Sequence, residues 1–176
     1  TDGDGAEYLL QRADMARTQA DRPVQNDWTF YAPDLDARAW DRLDLESRLN
    51  RALERNEFRL LYQPIVSLSD FSMVGVEALV RWEHPERGLI GPGEFIPLLE
   101  ETGIIVPVGR WILATACAQL REWHDQGLGG LELSVNLSPR QVADPGFVGM
   151  LEETLEASSL RASNLRLEIT ENLFLQ

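Results

Sequence analysis

The run Val74-Gly75-Val76-Glu77-Ala78-Leu79-Val80-Arg81-Trp82-Glu83-His84 restricts the fold more than any other stretch of the chain. Read with a period of two, it puts Val74, Val76, Ala78, Val80 and Trp82 on one face and Gly75, Glu77, Leu79, Arg81 and Glu83 on the other. One face is apolar throughout, and the opposite face carries an acid and a base. Two settings suit such a strand. It can lie in an antiparallel surface sheet with its charges in water. It can also lie in a barrel, with its apolar face under helices and its charged face at the mouth of a site.

The neighbouring segments favour the second setting. Phe58 to Leu68 reads as a strand containing Gln63-Pro64, and the short link through Ser69-Asp70 makes the two strands an antiparallel hairpin. His84 to Gly91 reads as a loop, and Pro92 to Glu101 as a helix with Gly103 after its end. Pro107 to Gln126 reads as a longer helix with Ile112, Leu113, Ala116, Cys117, Leu120 and Trp123 on one face. Leu131 to Leu137 and Leu165 to Thr170 read as strands, with a helical pattern between them after Pro145. In the first of these strands Leu and Val alternate with Glu132, Ser134 and Asn136; in the second Leu and Ile alternate with Arg166, Glu168 and Thr170. Strands alternating with helices specify a parallel α/β sheet, here with an antiparallel first strand. Doubly wound sheets bury both faces and seldom tolerate a repeated polar face, so a barrel with a site at its mouth accounts better for the pattern.

The chain divides into three pieces. Residues 1–33 hold a helical pattern from Ala6 to Ala20 and a short strand, Trp28 to Tyr31; these cannot make a core alone. Residues 34–57 read as a connecting helix, Asp36 to Glu57, whose stripe of Trp40, Leu43, Leu49 and Leu53 also admits a homodimer. Residues 58–176 form the strand-and-helix domain. The net charge of −13 argues against a nucleic acid polymer as partner, because such polymers are held through basic patches. It leaves open a small phosphate ligand, whose charge a local Arg and a metal can offset. One Cys fits a reducing compartment, and no apolar run approaches the ~20 residues of a membrane span. The segment is therefore expected to be cytoplasmic and to make no membrane contact, within a parent that can still be membrane-anchored.

On the polar face, Glu77, Asn136 and Glu168 each read as late in a strand. Two carboxylates and an amide oxygen suit a hard divalent cation such as Mg²⁺ or Mn²⁺, and Arg81 on the same face suits a phosphate oxygen. Spacing alone leaves equally open that these polar residues only satisfy one another. His84 and His124 read as loop and helix-surface residues, Cys117 as core, and Trp111 and Trp123 as helix-face packing.

The same residues resemble a known family. Glu77-Ala78-Leu79-Val80-Arg81-Trp82 is similar to the signature of EAL domains, the phosphodiesterases that linearise cyclic di-GMP. Gln63-Pro64-Ile65, Pro92-x-x-Phe95-Ile96-Pro97, Glu100, Asn136-Leu137-Ser138 and Glu168-Ile169-Thr170-Glu171 stand in family order around it. The resemblance implies a TIM-barrel-like EAL fold with an antiparallel first strand. It implies metal ligation by Glu77, Asn136 and Glu168, and dinucleotide contacts from Gln63, Leu79, Arg81, Pro92 and Phe95. It gives Glu171 a catalytic role, steadying a loop near the metals. The implied chemistry is hydrolysis of cyclic di-GMP to linear pGpG at two Mg²⁺ or Mn²⁺ ions, with Ca²⁺ inhibitory. A receptor that binds the dinucleotide without cleaving it is the alternative, and a dimerising module is a third reading. From Leu43 there are 134 residues, about half of a ~250-residue barrel. The family's later Asp-Asp, Lys, Glu and Gln residues are not among these 134, and the chain alone is expected to be inactive. The opening 33 residues resemble the carboxyl end of a GGDEF domain through Ala6-Glu7-x-Leu9-Leu10-x-x-Ala13-Asp14-x-Ala16, which places a GGDEF or sensor domain upstream.

Overall fold

The computed structural model describes residues 44–169. The expected opening helix, the strand at Trp28 and the first part of the 34–57 helix lie outside these residues, as do Thr170 and Glu171.

Helix α1 runs over 44–52 and stops short of the expected Glu57. Its end explains the difference. Asn56 takes a left-handed conformation (φ 54°), its N–H bonds the Leu53 carbonyl at 3.2 Å, and the Glu57 N–H bonds the Ala52 carbonyl at 2.9 Å. This pair of bonds closes a helix and turns the chain away. Glu57 then joins the sheet: its carbonyl accepts from the Glu83 N–H (2.7 Å), and its carboxylate accepts from the Trp82 indole N–H (3.0 Å).

Strands β1 (Phe58–Val66) and β2 (Met73–His84) form the expected antiparallel hairpin, with Gln63 opposite Glu77, Leu61 opposite Leu79 and Arg59 opposite Arg81. A short strand, β3 (Gly88–Ile90), folds back on β2, where the sequence suggested only a loop. The turn is held by His84, whose Nδ1 accepts from the Glu86 and Arg87 N–H groups at 3.2 and 3.1 Å. His84 is therefore buried, against its reading as a loop residue.

Helix α2 (Pro92–Thr102) begins on Pro, which needs no amide partner there, and ends at Gly103 (φ 81°). Helix α3 (Ile105–Asp125) buries Ile112, Leu113, Ala116, Cys117 and Leu120. Strand β4 (Glu132–Leu137) pairs in parallel with β2 from Gly75 to Ala78, and β5 (Leu165–Ile169) pairs in parallel with β4. Between them lie α4 (Pro139–Val142), α5 (Phe147–Ser158) and a short 3-10 turn, Ala162–Asn164. Ser138 caps α4 reciprocally: its hydroxyl accepts from the Arg140 N–H, and its own N–H donates to the Gln141 carboxamide at 3.0 Å. The Arg140 guanidinium reaches back to the Glu100 and Glu101 carbonyls, where the C-terminus of α2 favours a cation.

The result is a mixed α/β sheet in the order β1-β2-β4-β5, with β3 on the outer end of β2. Helices cover its apolar side. Val76, Ala78, Trp82, Leu133, Val135 and Leu137 are buried there, whereas Val74 at the start of β2 is exposed. His124 ties α3 to this side through a 2.9 Å contact with the Leu131 carbonyl, so it is more than a surface residue. Among the described residues no helix is long and apolar enough to cross a membrane.

Candidate active site

Alternation along three strands brings the polar residues together on the uncovered face. The Asn136 side-chain N–H donates to a Glu77 carboxylate oxygen at 2.7 Å, across 59 positions of sequence. Glu168 stands in register with Asn136 on the neighbouring strand, and Gln63 stands opposite Glu77 on the other side. Ser134 completes the row between Glu77 and Arg166 and is buried; the alternation listed it only as a polar position. Glu77 lies fifth of twelve residues in β2, so it is not late in its own strand. It is next to last in the β2–β4 parallel ladder, which runs from Gly75 to Ala78, while β2 continues past that ladder, paired with β1 and then β3.

Arg81 lies two pleats further along the same face. Its guanidinium donates to the Val80 carbonyl at 2.8 Å and has no carboxylate partner among the described residues. Leu79 lies between Glu77 and Arg81 and is half-buried. Pro92 is the first residue of α2. Phe95 departs from expectation. It is 0% exposed, with its ring 5.8 Å from Phe58 and 6.1 Å from Trp82, on the helix-covered side of the sheet. It packs as a core residue. Trp111 and Trp123 pack in the same layer, on Phe58 and Tyr62 respectively.

Among the described residues no group of three or more His, Cys, Asp and Glu side chains is placed to hold a metal. The candidate donor set is two carboxylates and an amide oxygen. With its N–H bound to Glu77, the Asn136 carbonyl is left to serve as a donor, and hard oxygen donors fit Mg²⁺ or Mn²⁺. Cys117 is buried on the covered side, where burial pushes its thiol up to about 11, the environment of a packing cysteine. Tyr62, on the same covered side, is pushed to about 12, first by burial and then by the nearby Cys117.

The EAL domain family model matches residues 46–176. The chain belongs to the EAL family. The match begins within α1. The chain is 43% identical over 171 residues to the bifunctional diguanylate cyclase/cyclic di-GMP phosphodiesterase MucR of Pseudomonas aeruginosa, covering 97% of this chain and 25% of that protein. The solved MucR phosphodiesterase in complex with cyclic di-GMP is 47% identical, with TM-score 0.73 over 76% of this chain and 54% of that one. The EAL enzyme Bd1971 bound to cAMP and cyclic di-GMP is 32% identical, with TM-score 0.74 over 99% of this chain and 46% of that one. The chain thus spans about a quarter of its curated relative and about half of these solved chains.

Proposed function

We propose that this EAL domain hydrolyses cyclic di-GMP to linear pGpG in a reaction that depends on Mg²⁺ or Mn²⁺. The observation that carries the proposal is the Asn136–Glu77 hydrogen bond with Glu168 in register beside it. Two inward carboxylates are costly unless something neutralises them, and here one amide is the only hydrogen-bond partner that they have among the described residues. A divalent cation held by Glu77, the Asn136 carbonyl and Glu168 supplies charge neutralisation and activation of the attacking water when bound.

The chain's own residues do the rest. Arg81, whose guanidinium has no carboxylate partner among the described residues, offers it to a phosphate oxygen. Gln63, exposed opposite Glu77, offers an amide donor and acceptor to a base edge, and Leu79 between them offers an apolar contact. The MucR relative, a cyclic di-GMP phosphodiesterase, and its solved complex with cyclic di-GMP support the substrate, and the relative's diguanylate cyclase activity supports reading residues 1–33 as the end of a GGDEF domain. Glu171, outside the described residues, keeps its proposed role beside the metals on the family motif alone.

The test uses the EAL domain carried to the length of its solved relatives. Glu77→Ala is expected to abolish turnover while binding of cyclic di-GMP survives in part, since Arg81 and Gln63 remain. A variant that turns over at the wild-type rate removes Glu77 from the chemistry.

A further inference from the structure

The β1–β2 register sets two guanidiniums face to face. Arg59 and Arg81 are direct partners in the antiparallel ladder, so both side chains leave the same face of the sheet. Like charges directly opposite one another destabilise a strand pair, and they persist only where something compensates. One carboxylate on that face does so in part. Glu83, diagonal to Arg59 and two residues past Arg81, takes the Arg59 Nε at 2.5 Å. Among the described residues Arg81 keeps only a backbone carbonyl. The local sum is one acid against two bases, next to the polar row of Gln63 and Glu77, in a chain whose net charge is −13. A cationic spot on an acidic chain, beside a proposed dinucleotide site, suits an anionic group such as a phosphodiester.

We propose that Arg59 is a second cation of the dinucleotide site, and that Glu83 competes with the ligand's phosphate for it. The inference rests on the cyclic di-GMP reading above. It deepens that reading by assigning a specificity-determining pair that neither the motif spacing nor the family signature contains. Both side chains are well exposed, 64% for Arg59 and 41% for Glu83, so solvent screening weakens their pairing and a phosphodiester can displace Glu83. An ordinary surface pair makes a different prediction: removing either partner then has the same small effect. A held-back cation gives opposite signs for the two.

The experiment is titration of cyclic di-GMP into the complete EAL domain in Ca²⁺, with steady-state kinetics in Mn²⁺, for wild type, Arg59→Gln, Arg59→Lys, Glu83→Gln, the double variant and Arg81→Ala. Expected for Arg59→Gln is an affinity about three- to tenfold weaker, with the loss in KM more than in kcat, a shallower salt dependence, and partial rescue by Arg59→Lys. Glu83→Gln is expected to tighten binding about two- to fivefold, and only while Arg59 is present, so that the double variant matches Arg59→Gln. The inference is overturned if Arg59→Gln leaves affinity and salt dependence unchanged, or if Glu83→Gln weakens binding in parallel with it. If Arg81→Ala weakens binding while either of those results holds, the cyclic di-GMP reading stands without Arg59. If the wild-type domain binds no cyclic di-GMP, both fail together.

Discussion

Replacing Asn136 by Asp sets a second carboxylate against Glu77 at the 2.7 Å contact now filled by an amide N–H. Two unit charges about 4 Å apart repel by about 1 kcal/mol in a water-like medium and by about 4 kcal/mol at an effective dielectric of 20. Asn136 is exposed and Glu77 half-buried, so the low end applies, about 1–2 kcal/mol. Losing the hydrogen bond to a charged group adds about 1 kcal/mol after the same discount for exposure. The expected total is about 2–3 kcal/mol, or roughly 4–10 °C in Tm for a domain of this size, measured in chelator. Asn136→Ala removes the hydrogen bond alone and is expected to cost only about 1 kcal/mol. The two variants separate again when Mn²⁺ is added. The Asp variant should recover, because a bound cation neutralises the carboxylate pair, whereas the Ala variant should stay behind wild type. Thermal unfolding with and without Mn²⁺ decides the matter. An Asp variant as stable as wild type in chelator refutes the contact, and one that Mn²⁺ does not restore refutes the metal assignment.

Two further predictions concern the layer behind the site. A Cβ at Gly109 would meet the Gln141 amide at 1.8 Å, and Gln141 is committed to the buried Ser138 N–H, so Gly109→Ala is expected to cost about 1–3 kcal/mol by urea unfolding; adding Gln141→Ala should remove the clash, and a double variant no better than Gly109→Ala contradicts the packing. Burial pushes Tyr62 from 10.0 up to about 12, so the unfolded chain ionises first: stability is fully kept below about pH 10, with no pH dependence from this group there, and should fall as pH rises from about 10 to about 12; absorbance at a tyrosinate wavelength shows it, and a step lost in Tyr62→Phe confirms its source.

Much of this architecture is legible in the alternation of β2. The period of two assigns Glu77, Leu79 and Arg81 to one face and Val76, Ala78 and Trp82 to the other, and the structure keeps both sets. The same rule placed Asn136 and Glu168 on the polar face of their strands, although it could not say which residues meet. That required the ladder offsets, which gave the Asn136–Glu77 bond and the facing guanidiniums of Arg59 and Arg81. Strand β3 was missed because three residues carry no readable period, and its turn depends on His84, whose role is to accept backbone N–H groups. Phe95 was placed at the mouth because it follows a loop; an aromatic on a helix next to a site has the same spacing whether it faces ligand or core, and packing against Phe58 and Trp82 decided for the core. The α1 end turned on Asn56 adopting a left-handed conformation, a preference that Asn has but that many Asn residues do not use.

The central claim is that the EAL face performs hydrolysis and does not only bind. The most direct measurement is a single-turnover time course of cyclic di-GMP with an excess of the complete domain, followed by chromatography, in Mn²⁺ and again in chelator. The account predicts conversion to linear pGpG in Mn²⁺ and none in chelator. Dinucleotide that is bound in Mn²⁺ yet recovered uncleaved contradicts it and makes the domain a receptor.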